Sequence, residues 1–191
     1  MRMICGTVLS EGGFVPFGRE FIYGSFTRAD VKTITVAAGD PLIPLIALRL
    51  RPVDNFRRTT VKVKRVDIFP TINNTWGSWK LLLNPTFATG SITAWTDYDT
   101  ARESAVQYAT FDPASTIAPS GSGYMLAGDY FVTRTNSVLA SSTDELVSAP
   151  TITTGLSGVS DIVVLAANNL TTGGGGNSTD ILCNLRWIEI M

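Results

Sequence analysis

The sequence predicts an all-β fold, a single β-sandwich of jelly-roll-like design spanning residues 1–191. Three observations point to it. The chain is rich in Thr, Ser, Gly, Val, Ile and Leu, and only 16% of it is charged, which suits pleated, half-buried strands. Long runs of Glu, Lys, Gln or Arg at helical spacing are missing. About eleven or twelve short apolar runs, closed by turn residues, recur at intervals of roughly 10 residues, the rhythm of a sandwich or jelly roll. A chain of 191 residues buries roughly 70% of its unfolded surface without a metal or disulfide staple.

The first strand, 4–9, is closed by Gly12 and Gly13, which permit a tight reversal. Strands 21–27 and 31–37 follow. Phe14, Phe17, Phe21, Tyr23 and Phe26 crowd aromatic rings into thirteen residues, a pattern that serves core filling, a subunit contact or a ligand-stacking surface.

Two long strands, 42–50 and 59–69, joined by the charged linker 51–58, hold the densest hydrophobic pattern and the densest positive charge. In the first, Ile46, Leu48 and Leu50 alternate with Ala47, Arg49 and Arg51, predicting one core face and one wet face. In its partner run, Val61 and Val63 alternate with Thr60, Lys62 and Lys64; then the phase changes and Val66 and Ile68 take the apolar role. A β-bulge near Arg65 accounts for the shift. A strand buried on different faces along its length accounts for it equally.

Strands 76–84, 91–95, 104–108, 124–126 and 130–135 come next, with a loop at 111–123 and a tight turn at 127–129. Residues 137–147 carry a weak helical flavour and read as a turn or short helical bend. The last two strands, 161–167 and 180–191, flank the Gly-rich stretch 168–179, which reads as a long hairpin loop. Its four consecutive glycines are followed by no lysine, which argues against a phosphate-binding loop.

Residues 1–65 carry 11 basic and 5 acidic side chains, net +6, and residues 66–191 carry 4 and 11, net −7. Either a basic surface meets an acidic partner, or strands from both halves interleave and neutralise locally. Self-assembly of a basic face on an acidic one is a third use. Cys5 and Cys183 sit in apolar strand contexts and read as free buried thiols in the absence of a secretion signal, with a terminal strand pairing that brings them together as the alternative. The apolar run at residues 1–6 is too short for a signal peptide, and no stretch approaches the roughly 18 apolar residues of a membrane span.

The chain has no histidine, so the usual general base and the commonest transition-metal ligand are missing. Asp97 and Asp99 lie two residues apart, where a strand places side chains on one face; the pair is the one arrangement of glycosidase type. With Glu103 the same residues make a candidate calcium site, although the spacing lacks a full loop pattern. An ordinary acidic turn explains them as well. Arg49, Arg51, Arg57, Arg58, Lys62, Lys64 and Arg65 place 7 of the 15 basic residues within 17 positions. With only Phe56 interleaved and a slightly negative total charge, the cluster reads as a solvated face or a docking face for an acidic protein surface, not as a nucleic-acid site.

The stretches 4–14 (ICGTVLSEGGF), 44–50 (PLIALRL), 80–85 (KLLLNP), 105–108 (AVQY) and 182–189 (LCNLRWIE) resemble a domain of tailed-bacteriophage virion structural proteins. The resemblance implies a non-enzymatic virion component made in the host cytoplasm. Its leading form is a capsid decoration or cement protein that clamps the major capsid protein, commonly as a homotrimer. Phe14, Phe17, Arg49, Arg51, Lys62 and Lys64 are the candidate contact residues. No catalytic residue, cofactor, metal, nucleic acid or membrane is expected. The alternative role is a tail or fibre module that binds a host-surface glycan or receptor through exposed aromatic rings.

Overall fold

A computed structural model describes residues 18–24, 32–35, 41–52, 59–71, 75–100, 104–117, 123–134, 137–139, 141–142, 151–154, 159–170 and 178–190. The expected strand at 4–9, and Cys5, Phe14, Phe17, Phe26, Phe56, Arg57, Arg58 and Glu103, lie outside them. The described residues form fifteen strands and no helix: β1 Arg19–Gly24, β2 Lys32–Thr35, β3 Ile43–Leu50, β4 Thr60–Pro70, β5 Trp76–Leu83, β6 Phe87–Thr89, β7 Ile92–Asp97, β8 Val106–Phe111, β9 Thr116–Ile117, β10 Tyr124–Arg134, β11 Ser137–Leu139, β12 Ser141–Ser142, β13 Thr151–Ile152, β14 Ile162–Asn169 and β15 Ser178–Ile190.

Two antiparallel sheets carry the fold. One has the order β1-β15-β4-β12, with β2 also on β15 and β13 also on β4; the other runs β11-β10-β5-β14-β3-β8-β7. Their facing sides share one core. The first contributes Val61, Val63, Val66, Ile68, Ile181, Cys183, Leu185 and Trp187, and the second Ile46, Leu48, Leu50, Trp79, Leu81, Val163 and Leu165. Each such side chain, once fully buried, contributes about 1.5–3 kcal/mol. This is a β-sandwich, as the period-2 pattern predicts; jelly-roll connectivity is not established by these pairings.

The phase change in β4 is a bulge. Arg186 pairs with Arg65 and Trp187 with Val63, so Lys64 is the extra residue. Val63 and Val66 are both fully buried, and the extra residue lets both strand segments present valines to the same core.

Several expectations are corrected. β3 and β4 are not partners: they lie in different sheets, and the pattern does not separate the two cases, since alternation gives the same inward face to strands that pair and to strands that face each other across a core. The Gly-rich stretch likewise joins β14 and β15 across sheets and closes no hairpin. The expected turn at 127–129 is continuous strand, since Ala127, Gly128 and Asp129 pair with Leu81, Lys80 and Trp79, and a register shift between Met125 and Ala127 absorbs the irregularity. Residues 137–147 include the short strands β11 and β12, and the predicted loop 111–123 contains β9, which pairs with β6.

The predicted wet face of β3 is dry at Ala47, fully buried in a second cluster with Leu42, Leu82, Ala109, Ile117, Val164 and Ala166. Phe87, Ile92, Trp95, Phe111 and Ile162 pack over it. The middle of the seven-stranded sheet is therefore covered on both sides, with the β6–β9 ribbon contributing to a third layer.

Two special positions fix the strands. Gly77 pairs with Phe131; a Cβ there would fall 2.4 Å from Phe131 Cζ and 2.1 Å from Asn168 O, so only glycine admits the ring. Asn84 ends β5 with φ 49°. Its amide donates to Asp161 Oδ1 and its carbonyl accepts from Ile162 N, both at 2.8 Å, which repays the left-handed backbone locally.

Phe21 and Tyr23 of the aromatic crowd are core. Phe21 stacks on Trp187 at 5.8 Å, Tyr23 stacks on Tyr108 at 4.5 Å, and Tyr98 meets Trp187 edge-on at 4.9 Å. Tyr98 donates its hydroxyl to Ile22 O, tying the second sheet to β1. Beneath these rings Glu189, 1% exposed, accepts from Ser104 Oγ at 2.6 Å and Trp187 Nε1 at 3.0 Å on one oxygen, and from Ala105 N at 2.7 Å on the other.

Candidate interaction surfaces

The basic residues predicted as one contact face separate. Leu48 and Leu50 face the shared core, so Arg49 between them points from the opposite side of the seven-stranded sheet. Val61 and Val63 also face the core, so exposed Lys62 points from the far side of the other sheet. Arg49 and Arg51 thus lie across the sandwich from Lys62 and Lys64.

The first pair is held in place. Ile162, Arg49, Gln107 and Asp97 form one cross-strand row. Arg49 Nε donates to Gln107 Oε1, Gln107 Nε2 donates to Asp97 Oδ1, and Arg51 Nη2 meets Asp97 Oδ2, each at 2.8 Å. The Arg49 guanidinium lies 4.3 Å from the centre of the Trp95 ring, and burial lowers its pKa from the ordinary value. The ring face and the Gln107 carbonyl offset the lost hydration. Both Asp97 oxygens are engaged in this chain. Among the described residues no group of three or more His, Cys, Asp or Glu could hold a metal ion.

The second pair belongs to a wider strip. Because Lys64 is the inserted residue, neither it nor Arg65 enters the core, and both are half-exposed. Arg65 stands opposite Arg186, with Asp67 between them: Arg65 Nε lies 2.7 Å from Oδ1 and Arg186 Nε 3.9 Å from Oδ2. Lys62, Lys64, Arg65 and Arg186 therefore share an outer face with the two carboxylates of Asp67 and Glu20, the latter opposite Ile188. Half-buried Ile22, Ile188, Leu182 and Phe69 lie among them, giving a mixed basic and apolar surface.

Sequence reasoning missed a third surface. Tyr124, Met125 and Tyr130 on β10 are 77%, 63% and 67% exposed, and Trp76 on neighbouring β5 is 40% exposed. Met125 and Tyr130 line an open cleft of about 340 Å³ together with Ser78, Trp79, Lys80, Gly128 and Asp129. The signal was a glycine inside an aromatic strand, which often marks close approach of a ligand or another backbone.

Comparison with protein-family models, curated proteins and solved structures finds no match to the chain.

Proposed function

We propose that the chain is a non-enzymatic structural protein of a virion, acting as a capsid decoration or cement protein that docks on the major capsid protein as a homotrimer. The observation that carries the reading is the strip of Lys62, Lys64, Arg65 and Arg186 on the outer face of the six-stranded sheet, interleaved with apolar side chains. A rigid sheet with that mixture suits an acidic, partly apolar protein surface, where complementary charge sets orientation and association rate and apolar area sets residence. The resemblance to tailed-phage virion domains supports the same reading. The contact surface is reassigned in this proposal: Lys62 and Lys64 keep the role, Arg65 and Arg186 join them, and Arg49 and Arg51 serve the fold.

The test has two parts. Quantitative mass spectrometry of purified particles gives a copy number comparable with that of the major shell protein if the chain is a cement protein; absence from particles overturns the virion reading. The pair Lys62→Glu and Lys64→Glu weakens assembly onto undecorated shells and reduces its salt dependence, whereas Arg49→Gln leaves it unchanged. Undiminished assembly of the double variant refutes the docking face. A second reading, a tail or fibre module that binds a host-surface glycan, is favoured by the exposed aromatics of β10 and goes with a copy number of a few to a few dozen.

A further inference from the structure

One end of the seven-stranded sheet carries a feature that the shell-docking reading leaves unused. β7 is its last strand and pairs with β8 on one side; among the described residues no strand lies along the other. An exposed strand edge is a template for a further strand, and proteins blunt such edges with short strands, charge, proline or bulges. Elsewhere the edges are blunted. β2, β11, β12 and β13 span four, three, two and two residues, β1 begins with exposed Arg19 and Glu20, and the stretch of β10 beyond β11 is broken by a register shift between Met125 and Ala127. β7 has six residues, Ile92-Thr-Ala-Trp-Thr-Asp97, rich in strand formers and without lysine, arginine or proline. Its one irregularity, between Ile92 and Ala94, leaves Ala94 to Asp97 regular.

This edge is also self-matching. In an antiparallel ladder, bonded and non-bonded pairs alternate. Tyr98 N donates to Val106 O at 3.0 Å, so Thr96, opposite Tyr108, also turns its backbone to β8, and Trp95 and Asp97 aim their N–H and C=O groups outward. These are two donors and two acceptors in a row. A two-fold axis beside Thr96 sets Trp95 opposite Asp97 of the partner subunit and Asp97 opposite the partner's Trp95, and all four groups of each copy are then bonded. An axis at Asp97 would oppose two carboxylates, which is destabilising. An axis at Trp95 would send Asp97 to Thr93, the residue that the register shift leaves out of the ladder.

The side chains agree with that register. Trp95 and Asp97 stand on one face of β7, and the Arg49 guanidinium lies 4.3 Å from the centre of the Trp95 ring. The pairing therefore places a ring with its seated cation opposite a carboxylate of the other copy, twice by symmetry. On the opposite face Thr96, small and exposed, meets the partner's Thr96, a favourable cross-strand pair. We infer that β7 pairs antiparallel with β7 of a second copy of this chain, joining their seven-stranded sheets into one continuous sheet. Main-chain bonds supply the attachment, as in strand addition generally, and the opposed cation and carboxylate fix partner and register. The edge is separate from the strip of Lys62, Lys64, Arg65 and Arg186, so one chain can use both. A two-fold contact links trimers and does not build one, so shell docking and edge pairing fail independently.

The test combines a cross-link and a mass. At the axis the Thr96 pair is of the non-bonded kind, with Cα atoms about 4.5 Å apart, within the reach of a disulfide. In a Cys5→Ser background, Thr96→Cys under air oxidation is expected to run as two linked chains on a non-reducing gel. Ala94→Cys, which the register sets opposite Tyr98 of the partner subunit, is expected to remain a single chain. Sedimentation velocity over about a hundredfold range of concentration is expected to show the mass of the wild-type species doubling. Thr96→Lys brings two ammonium groups face to face at the axis and abolishes that doubling, while its melting temperature stays at the wild-type value because Thr96 is exposed. Absence of the Thr96→Cys cross-link overturns the inference. So does equal cross-linking of Ala94→Cys, a mass that does not rise with concentration, or a doubling that Thr96→Lys leaves intact.

Discussion

Replacing Glu189 probes how the two sheets are tied. Its carboxylate is 1% exposed and accepts three hydrogen bonds, from Ser104 Oγ, Trp187 Nε1 and Ala105 N. In Glu189→Gln the amide oxygen keeps Ser104 and Trp187, and the new NH2 group then faces the Ala105 N–H. One buried donor is left without an acceptor, which costs about 2 kcal/mol. In Glu189→Ala all three donors lose their acceptor and a void opens, for a loss of about 4 kcal/mol. For a domain of this size each kcal/mol moves the melting temperature by roughly 2–4 °C. Thermal unfolding followed by circular dichroism is therefore expected to show Glu189→Gln melting about 4–8 °C below wild type and Glu189→Ala about 8–16 °C below it. A Gln variant within about 0.5 kcal/mol of wild type, the range of an inert surface change, would refute the claim that the carboxylate serves three donors.

Deleting Lys64 removes the bulge and leaves Val61, Val63, Val66 and Ile68 in uninterrupted alternation, with Val63 and Arg65 still opposite Trp187 and Arg186; the expected outcome is folded protein with a native-like spectrum, and loss of soluble folded protein would sink the bulge assignment. A double-mutant cycle of Arg49→Ala and Trp95→Ala is expected to give a coupling of about 0.5–1 kcal/mol in urea unfolding, and a coupling of zero would mean that the guanidinium gains nothing from the ring.

Which side chains face inward was legible because alternation reports the face directly. Val61, Val63, Val66 and Ile68 point as the pattern predicts, and the bulge showed as a missed beat between the pairs Val61–Val63 and Val66–Ile68. Which strands pair was not legible, since Leu48 and Val63 would alternate identically whether their strands were neighbours or faced each other across a core. That ambiguity spread to the site. Reading β3 and β4 as partners merged Arg49 and Arg51 with Lys62 and Lys64 into one surface, while the fold sets a sandwich's thickness between them. The second apolar layer had a trace in the unbroken run Ile162 to Ala167, which reads as burial on both faces, but its cover, Phe87 and Ile117, lies far away in sequence. The β10 cleft was hidden for another reason: Gly128 looks like a turn residue until Lys80 is found opposite it.

The double covering of β3 and β14 implies an order in which the molecule comes apart. Among the described residues, β3 and β14 meet Phe87 and Ile117 of the ribbon through a small cluster to which they contribute Ala47, Val164 and Ala166, whereas the opposite side holds two tryptophans and a continuous aliphatic core. The small cluster is the weaker adhesive, so the outer ribbon can lift away while the two large sheets stay joined. Amide exchange in such a molecule proceeds in tiers, with β6 and β9 opening first and the amides of Val163 to Ala167 last. The three alanines Ala47, Ala109 and Ala166 act as spacers that set how closely the ribbon sits, and enlarging any one of them would loosen the covering layer without unseating the sandwich beneath.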